Sequence, residues 1–192
     1  ARHRAYAMMA VPTVYASLLD IPCGEHDLSC LRHCLVGAAP MPLEVFSRFE
    51  RVTGVKLLEG YGMTEGTAVS SLNPVAGQRK VGSIGLPLPY AELAVALVEG
   101  ATLQRFCATG EIGVLLMRGR TLFLCYVDPS QGASAWVVDA GGRRWFNSGD
   151  LARFDEDGYL WLAGRAKDLI IRGGHNIDPQ SIEERLCEHP DV

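Results

Sequence analysis

Two stretches of the chain carry residues whose types and spacing suit a phosphorylated nucleoside. Ser148-Gly149-Asp150 sets a carboxylate beside a residue with no side chain. Such a carboxylate can accept hydrogen bonds from both hydroxyls of a ribose, while Gly149 lets a ligand approach the backbone. Beyond it, Gly164-Arg165-Ala166-Lys167-Asp168 packs three charges into a short connector, and Gly173-Gly174 bares the backbone again. Upstream lies Glu59-Gly60-Tyr61-Gly62-Met63-Thr64-Glu65-Gly66. Its alternating glycines allow an adenine ring near the backbone, and Tyr61 offers a stacking face. Thr64 supplies a hydroxyl for phosphate and Glu65 a hard oxygen for Mg²⁺. Each piece alone has a plainer reading as a hairpin, a solvated turn or a glycine-rich turn over a buried tyrosine. The ordered set is harder to explain that way.

The elements that must position these groups are legible from pattern. Pro12 opens a helix running to Leu19, its missing N–H harmless in the first turn. Leu31–Val36 reads as a buried strand. A second helix is expected from about Pro42 to Thr53, with Val45, Phe46, Phe49 and Val52 on one face, Glu44 paired with Arg48, and Gly54 closing it. Val55–Leu58 is then a strand, and strand-helix-strand implies a parallel, doubly covered sheet whose carboxyl end is where ligands bind. From Gly82 the pattern becomes short strands with Gly and Pro turns: Ser83–Leu86, Leu93–Val98, Gly113–Met117, Trp136–Val138 and Trp145–Phe146, which predicts a small β-barrel subdomain. Leu151–Phe154 and Tyr159–Ala163, joined through Asp157-Gly158, predict a β-hairpin. Leu169–Ile171 reads as another strand, and Asp178-Pro179 caps a last helix carrying Ile182 and Leu186 and ended by His189-Pro190.

With 192 residues and a formal charge of −4, the chain has the apolar and charged fractions of a globular protein. No run of Lys or Arg suggests a nucleic-acid surface. No apolar run reaches the length needed to cross a bilayer and the beginning lacks a signal-peptide pattern, so a cytoplasmic protein is expected. Six cysteines form no CxxC pair. His26, Cys30, His33 and Cys34 are the only group close enough to suggest a metal. The better reading of Cys30 and Cys34 is as reduced thiols flanking an apolar strand.

The segment SGDLARFDEDGYLWLAGRAKDLIIRGGHNIDP resembles the ribose-binding and hinge motifs of the adenylate-forming superfamily, which includes acyl-CoA synthetases, aryl-CoA ligases, luciferases and peptide-synthetase adenylation domains. Gly60-Tyr61-Gly62-Met63-Thr64-Glu65 resembles its adenine and phosphate signature, and Gly110-Glu111-Ile112-Gly113 through Arg118-Gly119 the strand motif between the two. The wording RGGHNIDP and YGMTEGT is most like the bacterial fatty-acyl-CoA synthetase branch. The chain departs from the family where Cys125 precedes Tyr126, a position at which glycine is expected.

The resemblance implies an α/β fold with three parts: the end of a large AMP-binding subdomain (1–82), a β-barrel subdomain (83–166), and the hinge and start of a small C-terminal domain (167–192). It implies ATP or AMP contacts from Gly37, Ala38, Ala39, Glu59, Gly60, Tyr61, Gly62, Thr64, Asp150 and Arg165, and Mg²⁺ held through Glu65. Thr64 and Glu65 act catalytically on phosphate, Lys167 is the hinge on which two half-reactions alternate, and Gly173 and Gly174 border a CoA tunnel. His175 is then a rim or packing residue and His189 a surface helix stop. The expected reaction joins a carboxylic acid, a fatty acid by preference, to CoA through an acyl adenylate. The chain itself reads as an internal fragment. The family's phosphate-gripping loop is expected before Ala1 and its adenylation lysine after Val192, so the fragment alone is expected to be an incompetent ligase. Three other readings compete: an amino-acid or aryl adenylation domain feeding a carrier protein, a non-catalytic AMP-binding relative, and a globular fragment without retained function. Oligomeric state is not readable.

Overall fold

In the computed structural model the described residues are 3–22, 28–128, 130, 132, 135–166, 170–172, 175–177, 182 and 186, with backbone alone at 170–172 and 175–177. They belong to two compact units, 1–88 and 89–192.

The first unit is built on a five-stranded sheet. Strands β1 (Ala7–Ala10), β2 (His33–Val36) and β3 (Leu57–Tyr61) run parallel, and the two-residue strands β4 (Ser71–Leu72) and β5 (Leu86–Pro87) add antiparallel in the order β1-β2-β3-β4-β5. Helix α1 (Pro12–Leu18) starts on its proline as expected, and α2 (Leu43–Thr53) stops at Gly54, whose φ of 70° is the left-handed cap that glycine adopts without strain. Tyr15 and Phe49 meet edge to face at 5.0 Å, and the Tyr15 hydroxyl donates to the Leu35 carbonyl at 2.8 Å. Tyr15, Phe46 and Phe49 close over Cys34, Val36 and Leu57. Burying each such side chain contributes about 1.5–3 kcal/mol.

Both helices thus serve the face of β2 that carries Cys34 and Val36. The described residues place no helix on the opposite face. Val52 is corrected: it is 52% exposed, because the buried stripe centres on Phe46 and Phe49 and turns toward Glu50. Glu50 accepts a two-pronged guanidinium from Arg79 and the Leu57 amide at 2.7 Å. Burial works against its charge, but the Arg79 hydrogen bond and the Leu57 N–H outweigh that and hold its carboxyl below the usual range. Arg48 reaches the Leu19 carbonyl at 3.5 Å.

The second unit is a six-stranded sheet of β6 (Ala91–Glu99), β7 (Thr102–Phe106), β8 (Gly113–Gly119), β9 (Trp136–Val138), β10 (Arg144–Phe154) and β11 (Leu160–Arg165), ordered β11-β10-β8-β6-β7-β9. The expected small barrel is corrected to this sheet. Strand β9 pairs with β10 over three residues but meets β7 only at Thr102–Val138, so no continuous ladder joins that edge. Ser83–Leu86 is likewise not a strand of this unit, since Leu86–Pro87 pairs with β4 in the first sheet. Strand β7 escaped pattern reading because only Leu103 among its residues is buried. Ala96, Leu103, Leu116, Val137 and Trp145 form its core. A short antiparallel pair follows, β12 (Ile170–Arg172) with β13 (His175–Ile177). Lys167, Gly173, Gly174, the helix expected from Asp178 apart from the exposed helical residues Ile182 and Leu186, and His26, Cys23, Cys187 and His189 lie outside the described residues. Cys30, Cys34, Cys107 and Cys125 are free thiols.

Two turns of this unit repeat one design. Asp139 Oδ1 accepts the amides of Gly141 and Arg143, both at 2.9 Å, while Oδ2 accepts the Trp145 indole N–H at 3.1 Å. Sixteen residues on, Asp155 Oδ1 accepts the amides of Asp157 and Tyr159, and Oδ2 accepts the Trp161 indole at 2.9 Å. Gly142 and Gly158 supply the positive φ in each. The sequence shows the pair as DAGGRRW and DEDGYLW. Hydrogen bonds from Trp145, then from the Arg143 amide, hold the Asp139 carboxyl down at about 2 against an ordinary 3.8. A folded-state value below the unfolded one stabilises above pH about 4 and is lost as pH falls toward 2. Asp139→Asn is therefore expected to melt several degrees below the parent at pH 7, with the gap closing between pH about 4 and 2 in thermal scans. A gap independent of pH would remove the carboxylate from this account.

Candidate functional site

Strand β3 runs through Glu59-Gly60-Tyr61 rather than ending at Leu58, so half of the glycine motif is sheet. Its glycines answer first to the chain's own backbone. A Cβ on Gly60 would stand 3.0 Å from the Ser71 carbonyl, and one on Gly37 would stand 3.0 Å from the Gly60 carbonyl. A Cβ on Gly62 would fall 1.5 Å from the Ala68 carbonyl oxygen. Residues 37–39 and 60–62 are thereby brought together at the carboxyl ends of the parallel strands β2 and β3. Ala38 and Ala39 are exposed there, and Ala38 sits at a φ of 69°.

After Gly62 the chain folds into a tight 3-10 turn, Thr64–Gly66. The Met63 carbonyl accepts the amides of both Gly66 and Ala68, at 3.0 and 3.2 Å. Thr67 and Ala68 then adopt φ of 56° and 75°. Left-handed backbone costs an L-residue about 1–2 kcal/mol, and a β-branched threonine is an outlier there. Nothing in the residue types announced this strain. It leaves Thr64 exposed at the surface and Glu65 half-buried. Tyr61 is half-buried, with its hydroxyl 3.8 Å from the Met63 sulfur. Glu59 turns its carboxylate to the Gly82 amide at 2.7 Å. Burial pushes its carboxyl up to about 7 in spite of that bond and of Arg79. Buried Asn73 accepts the Lys80 amide and donates to the Glu59 and Ser83 carbonyls, tying β3 to the segment that carries Gly82.

In the second unit Asp150 sits on a double irregularity of β10. Against β8 the register passes from Asn147–Leu116 to Leu151–Val114, so β10 carries two extra residues. Against β11 it passes from Asp150–Arg165 to Ala152–Leu162, with the extra residue on β11. Gly149 and Gly164 take φ of 78° and 93° to allow it. Bulges of this kind re-aim a side chain out of the pleat. Ser148 pins the bulge: its hydroxyl donates to the Leu115 carbonyl at 2.8 Å and accepts the Asp150 amide at 3.1 Å. A Cβ on Gly149 would meet open space. Arg165 Nε donates to Asp150 Oδ1 at 3.0 Å, with the guanidinium side chain 66% exposed and the carboxylate 10%. An ion pair so wet contributes at most about 1 kcal/mol. The Gly110–Gly113 and Arg118–Gly119 motif is structural: Glu111 caps the Ala108 amide, Arg118 grips Glu92, and Gly119 passes under the Tyr90 carbonyl.

The pattern of the AMP-binding enzyme family matches residues 1–127. The chain belongs to that family. Among its relatives, the marinolic acid–CoA ligase of a Pseudoalteromonas species is 45% identical over the whole chain, and the long-chain-fatty-acid–CoA ligase of Bacillus subtilis is 38% identical over 98% of it. The chain spans 29% and 32% of those two proteins. Among solved members of the family, ATP-bound MatB from Rhodopseudomonas palustris superposes with a TM-score of 0.84 at 34% identity, covering 98% of this chain and 36% of that one. The anthranilate CoA ligase AuaEII in complex with anthranoyl-AMP gives 0.83 at 31% identity over 100% of this chain and 36% of that one. The α/β adenylate-forming fold expected from sequence is thus the fold of this family member. No described helix is long and apolar enough to cross a membrane.

Proposed function

We propose that this chain is part of an ATP-dependent acyl-CoA synthetase acting on a carboxylic acid, in the first instance a fatty acid. The observation that carries the reading is the 45% identity, over the full chain, to a protein named as a CoA ligase. The second relative, named for long-chain fatty acids, supports the substrate class. In the first half-reaction a carboxylate oxygen bonds to the α-phosphorus of ATP and pyrophosphate leaves. In the second the sulfur of CoA bonds to the acyl carbon, AMP leaves and the thiol proton passes to solvent.

Asp150 accepts the ribose hydroxyls and Arg165 lies on the ribose side as cationic partner. Tyr61 and the backbone at 37–39 and 60–62 border the adenine, with Glu59 supporting β3 behind them. The exposed Thr64 hydroxyl donates to phosphate oxygens as negative charge develops on them. Thr64 and Glu65 are adjacent hard-oxygen donors on one strained turn, a set that suits Mg²⁺, which takes few protein ligands and keeps waters and phosphates. When bound, the ion neutralises phosphate charge. Lys167 serves as hinge between the half-reactions, and Gly173 and Gly174 border the pantetheine of CoA. Screening carboxylic acids for CoA-dependent AMP release with the complete protein tests the reading. Turnover with medium or long aliphatic acids is expected. AMP release that proceeds with amino acids and a carrier protein but not with CoA would overturn it.

A further inference from the structure

The first unit contains a recess of about 210 Å³ that none of these roles uses. It lies at the far end of the strands from the glycine motif. His33 is the first residue of β2 and Lys56 immediately precedes β3, whereas Gly60–Glu65 close β3 and follow it. Arg32, His33, Lys56 and Arg79 line it with Leu58 and Val75, and no carboxylate is among the lining residues. Behind the wall the Glu50 oxygens are engaged by Arg79 and the Leu57 amide, and Glu59 also acts on Arg79 electrostatically. Lys56 also acts on Glu50 electrostatically. Arg32, Lys56 and Arg79 therefore bring three positive charges to a wall whose described lining residues include no carboxylate. Arg79 is fixed in the wall by Glu50 and by the Leu57 carbonyl at 2.6 Å. Arg32 and Lys56 are exposed cations on the rim.

We propose that this recess binds a small phosphate monoester, with Arg32 and Lys56 as the charged donors and the Leu58 and Val75 side chains against its organic part. Paired cations suit a dianion, and charge-assisted bonds to phosphate are about twice as strong as neutral ones. The volume lies below the roughly 300–1,000 Å³ of sites for larger ligands, which fits a phosphate bearing a short carbon chain. The proposal is independent of the synthetase reading, because it uses none of the residues assigned there.

Calorimetric titration of the complete protein with glycerol 3-phosphate, at saturating AMP, tests it. Binding in the millimolar range or tighter is expected, weakening with added salt. Arg32→Ala combined with Lys56→Ala is expected to weaken it about tenfold or more, while Lys56→Arg retains it. Both side chains are exposed, so unfolding midpoints of the variants should match the parent's. Absence of binding by the parent, or equal binding by the double alanine variant, overturns the site. Sedimentation with phosphatidate vesicles in place of binding the soluble ester overturns the assignment to a soluble ligand.

Discussion

Asp150→Ala is expected to reduce kcat/KM for CoA-dependent AMP release by about 100-fold to 10,000-fold in the complete protein, while barely moving its melting temperature. A carboxylate accepting two ribose hydroxyls makes two charged hydrogen bonds of about 1.5–3 kcal/mol each, and every 1.4 kcal/mol is tenfold. Stability follows a different partner. Removing the carboxylate takes a screened ion pair from a guanidinium side chain that is 66% exposed. The bulge itself is held by Ser148 through the Leu115 carbonyl and the Asp150 backbone amide, neither of which the substitution touches. Asp150→Asn keeps one acceptor and should fall between parent and alanine. Steady-state kinetics with ATP varied, beside thermal unfolding, separate the two effects. A variant whose kcat/KM stays within a few-fold of the parent would sink the ribose assignment, and a large fall in melting temperature would recast Asp150 as a structural residue.

The sequence was most readable where a local rule and the tertiary demand agree. Pro12 starts its helix and Gly54 stops its own as isolated rules require, and Asp155 to Trp161 turns a hairpin for reasons contained in seven residues. Asp139 turns another by the same bonds, yet Val138 to Arg144 passed unread as a turn because the repeat shows only when DAGGRRW is laid over DEDGYLW. The barrel failed for a different reason: closure depends on how two distant edges meet, and here β7 and β9 share one residue pair. Val52 was misplaced because a half-buried ion pair, Glu50 with Arg79, claimed the inward side of its turn and apolar periodicity cannot see charge partners. In the candidate site the residue types were legible and their reasons were not. Gly60 and Gly62 looked like room for a ligand, and the structure fills the space beside them with the carbonyls of Ser71 and Ala68. The left-handed Thr67 and Ala68, which set the Thr64 turn, leave no trace in composition.

That close approach makes Gly62→Ala one of the most damaging single methyl groups expected in the first unit. Its Cβ would stand 1.5 Å from the Ala68 oxygen, 2.5 Å from the Ala68 carbonyl carbon and 2.8 Å from the Val69 Cα. All three are backbone atoms, so no rotamer change can clear them. The Ala68 and Val69 segment cannot easily retreat, since the Met63 carbonyl holds the Ala68 amide and the Tyr61 carbonyl holds that of Ser70 at 2.8 Å. Gly149→Ala provides the contrast: its Cβ meets nothing within 4 Å, and the φ of 78° alone costs about 1–2 kcal/mol. Overpacking of this severity is expected to exceed about 4 kcal/mol, the range reserved for buried steric faults. In urea unfolding of the complete protein, Gly62→Ala should therefore lose its cooperative transition or shift it far below that of Gly149→Ala. The only escape is to push the Thr64–Ala68 turn outward, which would displace Thr64 and Glu65 and abolish AMP formation even if the midpoint survived. A Gly62→Ala variant that keeps both its midpoint and its AMP-forming rate would mean that the Ala68 carbonyl yields freely, and the turn would then have no claim to hold phosphate ligands in place.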